Sequence, residues 1–117
     1  MARIVLDGPQ FGTYDERHRG GTSIEGFEWD PEKNIANRQK HGLSFEEAAS
    51  IFSGPVLTGQ DGSTGEVREK SFGLLGGVVV ACVIHTERNG KIRIISARKA
   101  TAGERKYFDA YLKKAFS

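Results

Sequence analysis

The chain has 117 residues and a mass of 12.8 kDa, with 38% hydrophobic and 27% charged residues. This length and composition predict one compact soluble domain and exclude a disordered or membrane-embedded chain. The longest apolar run, residues 78–84, is far shorter than the ~20 residues of a membrane helix, and no secretory signal is expected. A single cysteine, Cys82, excludes an internal disulfide and a cysteine-based zinc site, and it favours a reducing, cytoplasmic location.

The formal net charge of +2 conceals an uneven distribution along the chain. Residues 1–26 carry three basic and four acidic side chains, whereas the remaining residues carry a net charge of +3. Within residues 87–106 there are seven basic side chains and only two acidic ones. Such clustering is typical of a surface that binds a polyanion, and dispersed solvating charge is the alternative interpretation.

Residues 1–26 differ in composition from the rest of the chain. They contain five glycines and Pro9, and Ile4-Val5-Leu6 is their main apolar stretch. This pattern predicts a flexible N-terminal extension with at most one short strand, followed by a folded domain over residues 27–117.

Two helices are predicted at the start of the folded domain. Asp30 is a suitable N-cap, Pro31 suits the first helical position and Gly42 marks a stop, so a helix is expected over residues 31–41. Ser44 and Glu47 have the spacing of a capping box, which predicts a second helix over residues 45–52.

The second half of the chain alternates between strand and turn signals. Strands are predicted at residues 56–58, 66–72, 78–86 and 91–97, and Asn89-Gly90 is a strong signal for a tight hairpin. Thr101 and Glu104 form another capping box, which begins a helix over residues 102–115. The order predicts an α+β fold with N-terminal helices, a three- to four-stranded antiparallel sheet and a C-terminal helix.

The hairpin turn also predicts which side chains share a face of the sheet. With Arg88 opposite Lys91, regular pairing places Val83 opposite Ser96 and Ala81 opposite Arg98. One face is then expected to carry His85, Glu87, Ser96 and Arg98, and the other to carry Thr86, Arg88, Lys91 and Arg93.

Several of these residues are suited to RNA cleavage. Internal transfer needs a base for the 2′-hydroxyl, cations for the phosphate and an acid for the leaving oxygen. These residue types are supplied, without a recognised metal-ligand spacing, by His41, Arg68, His85, Arg88 and Arg98. Three of these residues, and Trp29, also have a structural alternative: His41 as a helix cap, His85 and Trp29 as core residues, and Arg68 in an ion pair with Glu66 or Glu69.

Several motifs also follow one another in an order typical of one protein family. The first are Phe27-Glu28-Trp29-Asp30-Pro31, Asn37-Arg38-Gln39-Lys40-His41-Gly42 and Ser44-Phe45-Glu46-Glu47-Ala48. The later ones are Val67-Arg68-Glu69, His85-Thr86-Glu87-Arg88, Ile92-Arg93-Ile94-Ile95-Ser96-Ala97-Arg98-Lys99-Ala100-Thr101 and Glu104-Arg105 with Tyr107. Over residues 27–107 the sequence resembles the BrnT toxin family, and residues 1–26 depart from the family pattern.

The resemblance implies a RelE-like fold and a metal-independent endoribonuclease toxin of a bacterial type II toxin–antitoxin system. It further implies a BrnA-like antitoxin that neutralises the toxin and contacts the operon DNA itself, with no cofactor and no membrane association. The candidates carried over for catalysis are Lys40, His41, Arg68 and Arg98. The candidates for substrate binding are Trp29, His85, Arg88 and Arg93. The alternative function is a non-catalytic basic subunit that docks a partner protein or nucleic acid.

Overall fold

The computed structural model describes residues 3–5, 24–62 and 67–116. The strands are β1 (Arg3–Val5), β2 (Phe27–Glu28), β3 (Val56–Asp61), β4 (Arg68–Leu75), β5 (Val79–Arg88) and β6 (Lys91–Lys99). The helices are α1 (Pro31–His41), α2 (Phe45–Ala49) with a 3-10 turn at Ser50–Ser53, and α3 (Ala102–Ala115). Within these ranges, no helix is long and apolar enough to cross a membrane.

The predicted flexible extension over residues 1–26 falls mostly on residues 6–23, which lie outside the described residues. The short strand expected within it is present as β1, which pairs antiparallel with β3.

The helix boundaries follow from their caps, as the sequence predicts. Asp30 accepts hydrogen bonds from the backbone of Glu32 and Lys33, and Gly42 ends α1 with a φ of 71°. The capping boxes of Ser44 with Glu47 and of Thr101 with Glu104 begin α2 and α3. The second helix is shorter than predicted, because a 3-10 turn replaces its last residues.

The described strands form one six-stranded sheet in the order β1-β3-β4-β5-β6-β2. The prediction of a three- to four-stranded, fully antiparallel sheet is therefore wrong, since β2 pairs parallel with β6. The α+β class itself is confirmed. Two-residue β2 is too short to produce an alternating pattern, and β1 lies in a glycine-rich stretch, so neither gives a clear strand signal.

The β5–β6 hairpin contains a bulge that was not predicted from the sequence. The turn is as predicted, because Asn89 and Gly90 have φ values of 54° and 78°. Pairing is regular from Arg88–Lys91 to His85–Ile94, but the next pair is Ile84–Ser96, so Ile95 is an extra residue in β6. Beyond the bulge Val83 lies opposite Ala97 and Cys82 opposite Arg98. The predicted Val83–Ser96 and Ala81–Arg98 pairs are wrong, because a one-residue shift moves each later side chain to the other face.

The two faces of the sheet differ in what covers them. The face that carries Val83 and Ala97, here called the helical face, is covered by α1, α2 and the 3-10 turn over an apolar cluster. The 3-10 turn approaches closely at Gly73, where a Cβ would stand only 2.7 Å from Cβ of Ile51. Among the described residues, the opposite face, here called the open face, is covered at one end only, where Phe108 and Tyr111 of α3 pack on the sheet.

Asn37 attaches α1 to β6 from within the buried region. Its Nδ2 donates to the carbonyl oxygens of Leu43 and Ala97, both at 2.8 Å, and its Oδ1 accepts from the Ala97 amide at 3.1 Å. Asn37 therefore supplies hydrogen bonds that a neighbouring strand would otherwise give to β6.

Candidate functional site

Basic side chains gather on the open face of the sheet. Directly paired residues share a face, and alternate residues along a strand do so too. Applied to the observed pairs, these rules place six cations of the described strands on the open face. This set, here called the basic face, consists of Arg68, Lys70, Arg88, Lys91, Arg93 and Arg98.

The cations lie in successive rows across the strands. Arg98 is level with Cys82 and Phe72, Lys70 is level with Ile84 and Ser96, and Arg68 is level with Asp61. Arg68 is four residues along β4 from Phe72 and two strands away from β6, which corresponds to about 16 Å between the Arg68 and Arg98 backbones. The distance from Arg68 to Arg98 is therefore greater than the width of one phosphate group.

Arg98 is held in place by Glu104 at the start of α3. Its Nη1 lies 2.7 Å from Oε1 and its Nη2 lies 3.0 Å from Oε2 of that carboxylate. This pair keeps the pKa of Glu104 down at about 2, and the same hydrogen bonds raise the pKa of Arg98. Both groups are therefore charged throughout the physiological pH range.

Arg93 has an acidic neighbour as well. Its Nη1 donates to Oε2 of Glu28 at 3.1 Å, which ties the end of β2 to β6. Arg88 and Lys91 are exposed at the hairpin end of the same face. Beneath Arg98, burial raises the pKa of the Cys82 thiol to about 11, so Cys82 is not a nucleophile near neutral pH.

Lys40 and His41 lie elsewhere. Both belong to the last turn of α1, which packs on the helical face through Asn37 and Ala97. The four predicted catalytic residues therefore divide into two pairs, with Lys40 and His41 on the helical side and Arg68 and Arg98 on the open face.

Two predicted substrate-binding residues are buried. Trp29 is 4% exposed and packs edge-to-face against Phe45 at 6.3 Å between ring centroids. His85 is also 4% exposed, with its Nε2 2.7 Å from Oγ of Ser71 and its ring edge-to-face with Phe52. The prediction that His85 and Arg98 share a face is wrong, because the bulge at Ile95 moves Arg98 to the open face.

Among the described residues, no group of three or more His, Cys, Asp or Glu side chains is arranged to hold a metal ion.

Residues 29–104 match the family model described as the ribonuclease toxin BrnT of type II toxin–antitoxin systems. The chain belongs to the BrnT family. It is also similar to the crystal structure of the Brucella abortus ribonuclease toxin BrnT, with 25% sequence identity and a TM-score of 0.49. That match covers 62% of this chain and 92% of the Brucella chain, and no curated protein sequence matches.

Three charged residues of the candidate site in this BrnT-family chain were not predicted from the sequence. Lys70 shares the open face with Arg68 because they are two positions apart on β4, and Lys91 is level with Arg88 at the hairpin end. Glu104 was interpreted only as a helix cap, although it also binds Arg98. The alternation of Arg68 and Lys70 is a usable signal, whereas the Glu104 contact depends on where the bulge places Arg98.

Proposed function

We propose that this chain is an endoribonuclease toxin that binds RNA on its basic face and cleaves it without a metal ion. The observation that carries the proposal is the gathering of six cations from three adjacent strands on one sheet face, which the described helices cover only at one end. The family membership supplies the ribonuclease activity class and the toxin role.

The basic face suits a phosphate chain in both charge and layout. Arginine binds phosphate oxygens through a planar pair of donors and stays charged at every relevant pH. The strand spacing sets the cations of successive rows about 7 Å apart, so an extended single strand can contact several of them at once. Arg68 and Arg98, about 16 Å apart at the backbone, would bind different phosphates of one RNA.

Cleavage would proceed by internal transfer. The 2′-oxygen forms a bond to phosphorus while the bond from phosphorus to the 5′-oxygen breaks. A base takes the 2′-hydroxyl proton, and an acid supplies a proton to the departing 5′-oxygen. The products are a 2′,3′-cyclic phosphate and a 5′-hydroxyl, and the arginines offset the charge that grows on the phosphate.

Lys40 or His41, which the family resemblance gives as catalytic candidates, would aid proton transfer or charge stabilisation. Their place at the end of α1, near the β6 edge of the sheet, requires the RNA to pass over that edge from the basic face. Arg98 lies on β6, next to that edge, so the scissile phosphate would be bound there rather than at Arg68.

The partner is proposed to be a BrnA-like antitoxin that neutralises the toxin and alone contacts the operon DNA. In the absence of this antitoxin, RNA cleavage in the cytoplasm would stop translation and growth. A RelE-like relationship of the fold is part of the same proposal. Its support is the α+β order with helices before the sheet and one helix after it.

The decisive experiment measures cleavage of end-labelled RNA by the purified protein in excess EDTA. The test variants are Arg68→Ala and Arg98→Ala, with alanine variants of Lys40 and His41 alongside them. The matched control is Lys33→Ala, which removes one exposed cation from α1. We expect the Arg98→Ala rate to fall by about 100-fold or more, as for the loss of one charge-stabilising donor. The Lys33→Ala rate should stay within about twofold of wild type because exposed surface substitutions rarely disturb a fold.

Salt dependence provides a second measurement. Each lost phosphate contact should reduce the slope of log binding constant against log salt by about 0.7 for a single strand. Arg68→Ala should show this reduction and Lys33→Ala should not. Full activity in both arginine variants contradicts the site, whereas wild-type RNA binding without cleavage, with or without added divalent metal, supports the non-catalytic alternative.

The toxin role is tested in cells. Expression of the chain alone should arrest growth, and co-expression of the neighbouring antitoxin gene should restore it. Growth that continues while the folded protein accumulates contradicts the toxin proposal.

A further inference from the structure

We infer that Glu104 is a positioning residue for Arg98. Its carboxylate binds the terminal edge of the Arg98 guanidinium, formed by Nη1 and Nη2, so that the side edge of the guanidinium, formed by Nε and Nη2, is presented to an RNA phosphate. The inference rests on the proposed function, because it assigns Arg98 to the phosphate-binding surface. It gives a second role to a residue that the sequence explains completely as a helix cap.

The Glu104 carboxylate binds three donors at one point of the fold. Oε1 accepts from Arg98 Nη1 at 2.7 Å and from the Thr101 amide at 2.8 Å, while Oε2 accepts from Arg98 Nη2 at 3.0 Å. The carboxylate is thus fixed by the first turn of α3 and fixes the arginine in turn. Such bidentate, charge-assisted contacts are among the stronger hydrogen bonds in proteins and have a defined geometry.

The remaining donors of Arg98 follow from the shape of a guanidinium. Five N–H groups are present, two on each terminal nitrogen and one on Nε. Glu104 takes one from each terminal nitrogen, and the carbonyl oxygen of Lys99 takes another from Nη1 at 3.2 Å. Within the described part of the chain, Nε–H and one Nη2–H therefore stay available.

These two donors lie side by side and point in the same direction. They form the side edge of the guanidinium, which matches two oxygens of a phosphate as well as the terminal edge does. The Arg98 side chain is 33% exposed, so part of it is in contact with solvent. Glu104 leaves Arg98 able to bind a phosphate while removing most of its rotational freedom.

A purely structural role makes a different prediction. If Glu104 only caps α3, then weakening the cap by another route should have the same effect on cleavage. Thr101 offers that route, because its Oγ1 accepts from the Glu104 amide at 3.2 Å without contacting Arg98. Thr101→Ala removes this half of the capping box and leaves the Arg98–Glu104 contact intact.

The experiment compares Glu104→Gln, Thr101→Ala and Arg98→Lys with wild type. Glutamine keeps the size of the side chain but replaces one acceptor with a donor that opposes Arg98. We expect Glu104→Gln to lower kcat by about 10- to 100-fold with a smaller change in KM, as for a misplaced catalytic contact. The kcat of Thr101→Ala should stay within about threefold of wild type. Arg98→Lys should cleave RNA no faster than Arg98→Ala, because lysine keeps the charge but lacks the paired donors.

A spectroscopic measurement separates this inference from the proposed function. Titration of 15N-labelled protein with a non-cleavable 2′-deoxy oligonucleotide should shift the Arg98 Nε–H signal in wild type and Thr101→Ala. In Glu104→Gln the shift should be weaker and need more oligonucleotide. Equal kcat losses in Glu104→Gln and Thr101→Ala, or an unmoved Nε–H signal in wild type, would overturn the inference. Wild-type protein that binds the oligonucleotide at Arg98 but does not cleave RNA would contradict the proposed function alone.

Discussion

The two faces of the sheet are formed by the same strands but differ in how far their polar side chains are buried and in what these side chains bind. On the helical face, His85 lies 2.7 Å from Ser71, Ser71 lies 2.7 Å from Thr58, and all three side chains are buried. On the open face, Arg98 is bound by Glu104 through its two terminal nitrogens, and its side chain is 33% exposed. A residue type that suits catalysis therefore indicates a site only when the face of the strand is also known.

The bulge at Ile95 determines which residues of β6 reach each face. Before it, Ile92 and Ile94 point into the helical core, and after it Ala97 does so. Because the bulge inserts one residue, Ser96 and Arg98 lie on the open face beside the cations of β4 and β5. A single extra residue thus adds Arg98 to the basic face and keeps its charge out of the core.

Ala97→Arg is the change expected to have the largest effect. Ala97 follows the bulge and is fully buried on the helical face, so the substitution places an unpaired charge in the core. Burying an unpaired charge costs several kcal/mol, which is comparable with the whole stability of a small domain. We expect no cooperative unfolding transition by circular dichroism and loss of soluble protein.

The matched control is Ser96→Arg, which places the same charge one position earlier, on the open face. It should unfold cooperatively and lose at most about 2 kcal/mol, because Ser96 is only half-buried. An Ala97→Arg variant with the wild-type unfolding midpoint would show that the bulge does not determine the faces.

The sequence predicts local structure well because caps and tight turns involve neighbouring residues. Asp30, Gly42 and Asn89-Gly90 mark their boundaries correctly, since each satisfies backbone groups a few positions away. It predicts that Arg88 and Arg93 share a face for a similar reason, as they lie in the regularly paired part of the hairpin.

The errors concern long-range geometry. Ile95 has no residue type that marks a bulge, and β2 pairs with a strand more than sixty positions later. Asn37 gives no signal in sequence, although it bonds both backbone groups of Ala97. Trp29 and His85 have the chemistry of RNA-binding residues, and only the packing of α1, α2 and the 3-10 turn on the helical face buries them.

Ser71→Ala tests the helical face with an intermediate effect. The substitution removes the hydroxyl between His85 and Thr58 and leaves both buried polar groups without that contact. We expect a loss of about 1–3 kcal/mol in the free energy of unfolding, measured in urea. Cleavage of RNA by the folded fraction should be unchanged, because Ser71 lies on the face opposite Arg98.

Ser96→Ala is the matched control for stability, since it makes the same chemical change on the open face. Ser96 is half-buried opposite Ile84, and its loss should change the unfolding free energy by less than about 0.5 kcal/mol. Equal losses in both variants would mean that the buried hydroxyl is not a distinct stabilising feature of the helical face.

The smallest expected effect is a pH dependence that belongs to the open face. The Arg98 contact lowers the pKa of Glu104 from 4.5 to about 2, so the ionised carboxylate stabilises the folded state. Because the folded pKa is the lower one, this contribution is complete above about pH 4.5 and is lost as the pH falls toward 2. Solvent screening reduces it to about 1 kcal/mol, since both side chains are partly exposed.

Urea unfolding at pH 7, 5 and 3 should therefore show wild type more stable than Glu104→Gln at the two higher values, with a smaller difference at pH 3. The Thr101→Ala variant keeps the ion pair with Arg98, which is the largest cause of the lowered pKa, so its difference from wild type should change much less with pH. If the difference in unfolding free energy between Glu104→Gln and wild type does not change with pH, the helix cap, and not the charge on Arg98, accounts for the contribution of Glu104 to stability.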